Sequence, residues 1–489
     1  MSYLKTLLIL ISCLFFTNKL FSETPYSQRM AQSQMTRSGN IISWDYPNGL
    51  FVESILKVYN QYGGSNYYNY ALNHAKAVIS TSGKIAAGYN FTAYTLDNIN
   101  PGSFLLQIYA TEKNQQYKIA LDTLRKQMLK QPRTNNNATG GFWHKASYPH
   151  QMWLDGLYMG TRFLAAYDKS YNNGQAYDDI VNQFVLIHSK TYDPTYQLNY
   201  HAWSALTTDA NSFWANKTAP FIGCSKEFWG RGLGWYAAAL VDVLEILPAN
   251  YARRQELVNI LGQVAAGIKR WQDPASGCWY QLLRYDGTLT SNGTSNYLEA
   301  SASCMFTYTL LKAVRLGLIP KSDYQSTATK AYQGLIANFI TADATGALSL
   351  NNICKSAGLG PSTSPARDGT INYYLNGSDA GVKVSNDLKG VGPFILASVE
   401  YEMMSNLTTN KEISLSENDR FNISSNNNVI TIQSYHHNLS KVSIYNMQGI
   451  ELKHWFGSDS SEVSINLPVF QNGIYLLRIN EGEFRKLKI

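Results

Sequence analysis

The feature that most limits the fold of this chain is a regular alternation in the lengths of the links between its helical segments. Over the 489 residues, apolar side chains recur at helical spacing in twelve stretches: 26–37, 49–62, 67–81, 97–111, 115–130, 153–168, 174–190, 232–247, 251–271, 297–316, 321–341 and 389–405. Links after the even-numbered stretches are only a few residues, such as Gly63-Gly64-Ser65-Asn66 and Pro248-Ala249-Asn250. Links after the odd-numbered ones are long, including 131–152, 191–231 and 342–388. Short links demand antiparallel neighbours, so helices alternating up and down send every long loop to one end. Composition alternates in the same register. The stretch 251–271 sets Leu257, Ile260, Leu261, Val264 and Ile268 against Arg253, Arg254, Glu256, Lys269 and Arg270, whereas 297–316 is rich in small residues and poor in charge. Helices that are apolar all round are buried and amphipathic ones face water. Six hairpins of buried and exposed partners predict an all-α architecture, an (α/α)6 barrel over residues 23–405.

Both ends of the chain read differently. Lys5 followed by the apolar run Leu7–Phe16 has the form of a secretory signal over residues 1–22. A bilayer-spanning helix needs roughly 20 apolar residues, so this run is too short to remain as an anchor, and no later stretch is long enough to span a membrane. Cys13 has a lipoprotein-like setting, but Leu14, Phe15 and Phe16 continue the apolar run past it. Residues 406–425 shift to Ser, Asn and Thr and read as a linker. Beyond them come short β-type runs at 429–432, 441–445, 451–455, 462–466, 473–480 and 484–489, with Met447-Gln448-Gly449 as a turn. These predict a small β-sandwich over 426–489. Export permits disulfides among Cys224, Cys278, Cys304 and Cys354 without requiring them.

Composition narrows the function. The formal charge is +7, with no basic arm at either end, which argues against a nucleic-acid partner. The cysteines form no CxxC and show no metal-ligand spacing, so neither a metal nor another cofactor is implied. Aromatic side chains are abundant (34 Tyr, 19 Phe and 10 Trp), which suits surfaces on which sugars stack.

Titratable and aromatic residues gather in the long loops at one end. The densest string is GGFWHKASYPHQMWLDGLYM, 140–159, in which His144, Lys145, Tyr148 and Trp153 precede Asp155 at the start of a buried helix. A first-turn carboxylate can simply complement the helix dipole, but a cap does not need that company. In EFWGRGLGWYAAALVDVLEILP, 227–248, Trp229 and Arg231 precede another buried helix and Trp235 follows four residues after Arg231. Arg231 reads either as a planar fork for a carboxylate or as a structural cation stacked between two tryptophans. In TLDNINPG, 95–102, Asn100 reads as a helix cap with Pro101 in the first helical position, leaving Asp97 on a loop with a bracing or a functional role. His201 in YHAWSA reaches the same end, again with a structural alternative. Two carboxylates, cationic groups and aromatic platforms make a site suited to an acidic sugar.

The strings FWHKASYPHQMWLDGLYM, EFWGRGLGWYAAALVDVLEILP, YLEASASCMFTYTLLKAV and DLKGVGPFILASVE resemble glycoside hydrolase family 105, the unsaturated rhamnogalacturonyl hydrolases, over residues 26–405. Family 88, the unsaturated glucuronyl hydrolases, shares its fold and mechanism. The resemblance implies an (α/α)6 barrel and removal of a 4,5-unsaturated galacturonyl residue from the non-reducing end of rhamnogalacturonan oligosaccharides. It implies Asp155 as general acid and base, Asp97 as a second essential carboxylate, and His201 beside the unsaturated ring. Trp229, Arg231 and Trp235 would form the uronate pocket, with His144, Lys145 and Trp153 as further pocket positions. The tail strings KVSIYNMQGIELK, NLPVFQNGIYLLRI and RKLKI resemble the C-terminal sorting domain of type IX secretion, which implies secretion machinery as a partner and a secreted or cell-surface product. A carbohydrate-binding tail, an inverting glycosidase, a pectin lyase, a glucuronyl hydrolase acting on glycosaminoglycan-type disaccharides and a non-catalytic binder of acidic sugars are the alternative readings.

Overall fold

The computed structural model describes residues 24–408 except 87 and 138, together with 421–426, 429–434, 439–445, 451–466, 474–480 and 484–488. The expected leader with Cys13, most of the linker and the turn at Met447-Gln448-Gly449 lie outside the described residues. The chain divides into two compact units, Met1–Leu407 and Thr408–Ile489.

The first unit is built from paired helices. Six are inner: Tyr46–Tyr62, Gly102–Glu112, a composite from Leu154 to Tyr171, Gly230–Ile246, Ala300–Arg315 and Leu388–Thr408. Their long partners are Tyr26–Ser38, Ser65–Val78, Gln115–Lys130, Tyr177–Thr191, Arg254–Arg270 and Lys321–Phe339. Burial separates the two sets. Every residue from Gly230 to Leu244 and from Ala300 to Ala313 is buried, whereas Arg254–Arg270 buries only one stripe, Leu257, Ile260, Leu261, Val264, Ala265, Gly267 and Ile268. Successive inner helices pack side by side from Tyr46–Tyr62 round to Ala300–Arg315. Glu400 of the last inner helix closes the ring through ion pairs with Arg315, 2.6 Å, and Lys57, 3.4 Å.

The first five inner helices are each left by a short link to an outer partner, and the last is reached from Lys321–Phe339 by a long connection, so all six run the same way. Their N-termini meet at one end of the ring and their C-termini at the other. Aligned peptide dipoles make the first end electropositive and the second electronegative. At the C-terminal end, Glu53, Lys57, Arg162, Asp242, Glu245 and Lys312 line a cavity of about 420 Å³, with Arg315 and Glu400 joined to them through Glu245 and Lys57. The four cations there balance the four carboxylates.

Several helix boundaries differ from the periodicity. Asp45 caps the second helix by accepting from Asn48 N–H at 2.9 Å, so that helix begins at Tyr46 rather than 49. The fourth begins at Gly102; Asp97 sits in a separate 3-10 turn, Leu96–Asn98, and Asn100 is buried without capping anything. Glu299 caps Ala300–Arg315 by accepting from the Ser301 and Ala302 N–H groups, so that helix begins at Ala300 rather than 297. A short extra helix, Ile371–Asn376, lies in the long 342–388 connection. Cys224, Cys278, Cys304 and Cys354 are buried and free, so no disulfide braces the described residues.

The second unit holds two antiparallel sheets. Phe421–Asn426, Val429–Ser434 and Glu462–Asn466 form one; Glu451–Ser460, Leu439–Tyr445, Ile474–Ile479 and Phe484–Lys488 form the other. Ile432, Val463 and Ile465 share one apolar cluster with Leu439, Val442, Ile444, Leu477 and Ile479 from the second sheet. The first strand, Phe421–Asn426, falls inside the stretch that composition assigns to the linker; its Asn and Ser residues hide a strand held by pairing with Val429–Ser434.

Asp168 shows how the hairpins are fastened. This fully buried carboxylate accepts from Arg125 Nε at 2.6 Å and Nη2 at 3.1 Å, from Asn172 Nδ2 at 3.0 Å and from Ala176 N–H at 2.9 Å. It joins an outer helix, an inner helix and the short link after it. Asp168→Ala strands the arginine, and breaking a buried pair from one side costs about 3–5 kcal/mol; urea unfolding should show a loss of that size.

Candidate active site

The electropositive end of the ring carries the loops that sequence analysis singled out. The strand Gln151–Trp153 pairs antiparallel with Ala202–Ser204, and Leu154 N–H donates to His201 O at 3.0 Å. That pairing carries Asp155, at the first turn of its helix, to His201 from 46 positions further along the chain. Asp155 Oδ2 stands 3.2 Å from His201 Nε2, within contact though without the alignment of a full hydrogen bond. The other ring nitrogen, Nδ1, is hydrogen-bonded to Tyr374 Oη at 2.8 Å. Directly after Asp155 the helix widens into a π turn, Leu157–Thr161, a distortion frequent at functional sites.

A second strand of contacts brings in Asp97. Leu96 N–H donates to His144 O at 3.0 Å and His144 N–H to Gln151 O at 2.9 Å, so the 95–98 turn, the 140s loop and the Asp155 strand lie side by side. Asp97 faces His144 Nε2 at 3.5 Å through one oxygen and Lys145 Nζ at 3.4 Å through the other. The His144 ring lies on Trp153, centroids 4.6 Å apart and planes 6° apart, and Tyr148 lies nearly parallel to both.

Charge states follow from these neighbours. Burial drives the His144 pKa down to about 4, despite the opposing pull of Asp97, so its ring is neutral through the working range. Burial also opposes a charged Lys145, but Asp97 outweighs it and the ammonium is favoured. For Asp155, burial alone would raise the pKa; His201 and then His144 outweigh it and hold the carboxyl below its ordinary value. This depressed carboxylate contributes stability above its unfolded pKa, and the contribution is lost as pH falls through the folded value.

Arg231 lies in the first turn of Gly230–Ile246, inside the helix rather than before it. It is almost wholly buried, donates from Nη1 to Cys354 O at 2.5 Å and Ser301 Oγ at 3.3 Å, and rests on Trp229 at 4.9 Å. Trp229 also meets His201, 4.6 Å between centroids, and donates from Nε1 to Gln281 Oε1. Trp235 does not complete a sandwich around Arg231. Its ring is buried against Tyr158 and Tyr46, at 4.7 and 6.2 Å. At i+4 from Arg231 the side chain turns toward the core because the helix is buried on all sides.

Three residues join this group that sequence analysis passed over. Tyr46 begins the second helix, is kept protonated by burial, and feels Arg231, Asp97, Asp155 and Asp387 together, which places its hydroxyl among the functional groups. Lys389, at the start of the last inner helix, pairs with Asp387 at 2.8 Å; burial and then Arg231 lower its pKa. Tyr374 reaches His201 from the short helix in 342–388. Tyr46 and Lys389 carry one available signal: each opens an inner helix, as Asp155 and Arg231 do.

Residues 26–405 match the family described as Glycosyl Hydrolase Family 88. The chain belongs to that family. A family 105 glycoside hydrolase from C. acetobutylicum ATCC 824 is 40% identical with a TM-score of 0.71, covering 78% of this chain and all of that one. Protein Atu3128 of Agrobacterium fabrum is 36% identical over 245 residues, 50% of this chain and 97% of its own. The unsaturated rhamnogalacturonyl hydrolase YesR of Bacillus subtilis is 22% identical over 277 residues, 56% of this chain and 72% of its own. The barrel is thus the (α/α)6 barrel of a glycoside hydrolase. Residues 417–488 match the Secretion system C-terminal sorting domain, so this hydrolase is exported, to the cell surface or beyond. No helix among the described residues is long and apolar enough to cross a membrane.

The balance at Asp155 can be tipped. In His201→Gln the largest depressing neighbour is gone and burial dominates, so the carboxyl pKa should rise. The basic limb of the kcat/KM pH profile should then move to higher pH, since the protonated acid persists further.

Proposed function

We propose that this glycoside hydrolase removes a 4,5-unsaturated galacturonyl residue from the non-reducing end of rhamnogalacturonan oligosaccharides by hydrating its double bond. The observation that carries the reading is Asp155: a buried carboxylate beside His201, opening an inner helix among tryptophans and cations. Six converging helix N-termini favour an anionic sugar. The name of the Bacillus subtilis relative supports the substrate.

Asp155 must be protonated to act first. Its pKa in the free site is low, but an entering uronate carboxylate adds a negative charge, which raises it. Protonated Asp155 delivers its proton to C4, and the C4–C5 π electrons form the new C–H bond. The cation left at C5 is shared with the ring oxygen. Water adds at C5 and gives a proton back to Asp155, which serves as acid and then base. The C5 hemiketal opens to a ketone, and the hemiacetal this leaves at C1 collapses and expels the remainder of the oligosaccharide. In this scheme Asp97 and Lys145 hold sugar hydroxyls, Trp153 and Trp229 supply apolar faces, and His144 contributes a neutral ring. Arg231, with Tyr46 and Lys389 beside it, receives the uronate. Trp235 acts from behind, fixing Tyr46.

The mature chain should abolish the ultraviolet absorbance of the conjugated double bond in unsaturated galacturonyl-rhamnose. A rising signal would mean a lyase, and a flat one a glycosidase or a lectin. Asp155→Asn should fold normally and lose at least roughly a hundredfold in kcat, the low end of general acid–base contributions; near-normal turnover would reduce Asp155 to a helix-terminal charge.

Recognition of the tail by secretion machinery belongs to the same proposal. Deleting 417–488 should leave active enzyme trapped inside the cell envelope, and activity recovered in the medium at the normal level would contradict it.

A further inference from the structure

Tyr374 has no part in the scheme above, yet it is fully buried and its hydroxyl is spent on His201. It arrives from Ile371–Asn376, a short helix in the longest connection of the barrel. Thr370 caps that helix by accepting from Tyr373 N–H at 3.2 Å, and the Tyr374 ring lies beside Trp229, 6.3 Å between centroids and nearly parallel. The connection therefore delivers one hydroxyl to one ring nitrogen in a fixed place.

Imidazole chemistry decides what that hydroxyl does. A neutral ring carries one N–H and one lone pair. His201 Nε2 stands 3.2 Å from Asp155 Oδ2. With Asp155 ionised, a lone pair on Nε2 would face a carboxylate oxygen, and two acceptors at that distance repel. The proton therefore belongs on Nε2, which leaves the lone pair on Nδ1 and makes Tyr374 the donor at 2.8 Å. The opposite tautomer becomes attractive only when Asp155 is protonated, because Asp155 can then donate to a bare Nε2. That would direct the acid's proton to His201 instead of to C4.

We propose that Tyr374 is a positioning residue for the acid–base step: by donating to His201 Nδ1 it favours the Nε2–H tautomer, so that His201 steadies ionised Asp155 and does not compete for the proton meant for substrate. The inference rests on the reading of Asp155 as the acid and base. The titratable groups around Asp155 are His201, His144 and Tyr46, with Tyr374 behind His201. Of these, His201 has the freedom to exchange tautomers against Asp155, because His144 directs its Nε2 toward Asp97.

The test is Tyr374→Phe, which keeps the ring and removes the donor. Selective 15N labelling of histidine in the mature chain should show His201 with a lone pair on Nδ1 in the wild type and a tautomer mixture in the variant. kcat should fall roughly tenfold, the scale of one buried hydrogen bond, with KM within about twofold of wild type. The basic limb of the pH profile should move up, as burial acts on an Asp155 that has lost part of its N–H partner. In a His201→Ala background the same substitution should change nothing further. A proton on Nδ1 of the wild type, an unchanged kcat and pH profile in Tyr374→Phe, or a loss that persists without His201 would each overturn the proposal. Should Tyr374→Phe fail to fold, the wild-type tautomer decides alone. A wild-type enzyme inactive on unsaturated uronates would sink the functional reading instead, while the tautomer measurement would still stand.

Discussion

Six helix N-termini meeting at one end of a ring set up an electrostatic contrast that the rest of the barrel answers. Each terminus exposes unpaired N–H groups and the positive end of a dipole. A carboxylate placed there is stabilised, and an anionic ligand is attracted without any dedicated loop. Asp155 occupies one such position, and Asp387 lies just before another. The opposite end has the reverse problem, since six sets of carbonyls converge. Lys57, Arg162, Lys312 and Arg315 lie there in close pairs with Glu53, Asp242, Glu245 and Glu400. Buried pairs of this kind add little net stability over apolar packing but are costly to break from one side. They therefore fix which end of the ring is which.

At the loop end, burial and pairing pull against each other on His144, Lys145 and Asp155. Burial wins at His144 even with Asp97 3.5 Å away. Pairing wins at Lys145 and at Asp155. In the free site Asp155 is held toward its ionised form and His144 is held neutral; in the proposed reaction an entering uronate reverses the first. An added negative charge moves the balance in the direction that protonates Asp155.

Much of this was legible from local pattern. Link lengths and the contrast between all-apolar and one-sided helices carry the barrel, because the antiparallel packing of hairpins is a local constraint. Asp155, His144 and Trp153 stand out because they are neighbours in sequence as well as in space. Tyr46 does not: Asp45-Tyr46-Pro47 looks like an ordinary helix start, and its partners Arg231 and Asp97 are far along the chain. Tyr374 sits in a 342–388 stretch with little periodic signal. Asn100 reads as a cap, but its helix begins two residues later and its side chain is buried without capping it.

What the sequence by itself determined is the set of hairpins, the end at which the long loops gather, and the residue types those loops carry. The tertiary structure decided which of them touch. Pairing of Trp153 with Ala202 sets His201 against Asp155, and the short helix in 342–388 then sets Tyr374 against His201. It also turned Trp235 inward while leaving Trp229 beside Arg231. Helical periodicity gives the spacing of side chains along one helix but not the rotation of that helix about the ring. Strand pairing between distant loops has no local signature at all. Both are settled only when the ring closes and each buried group must find its partner.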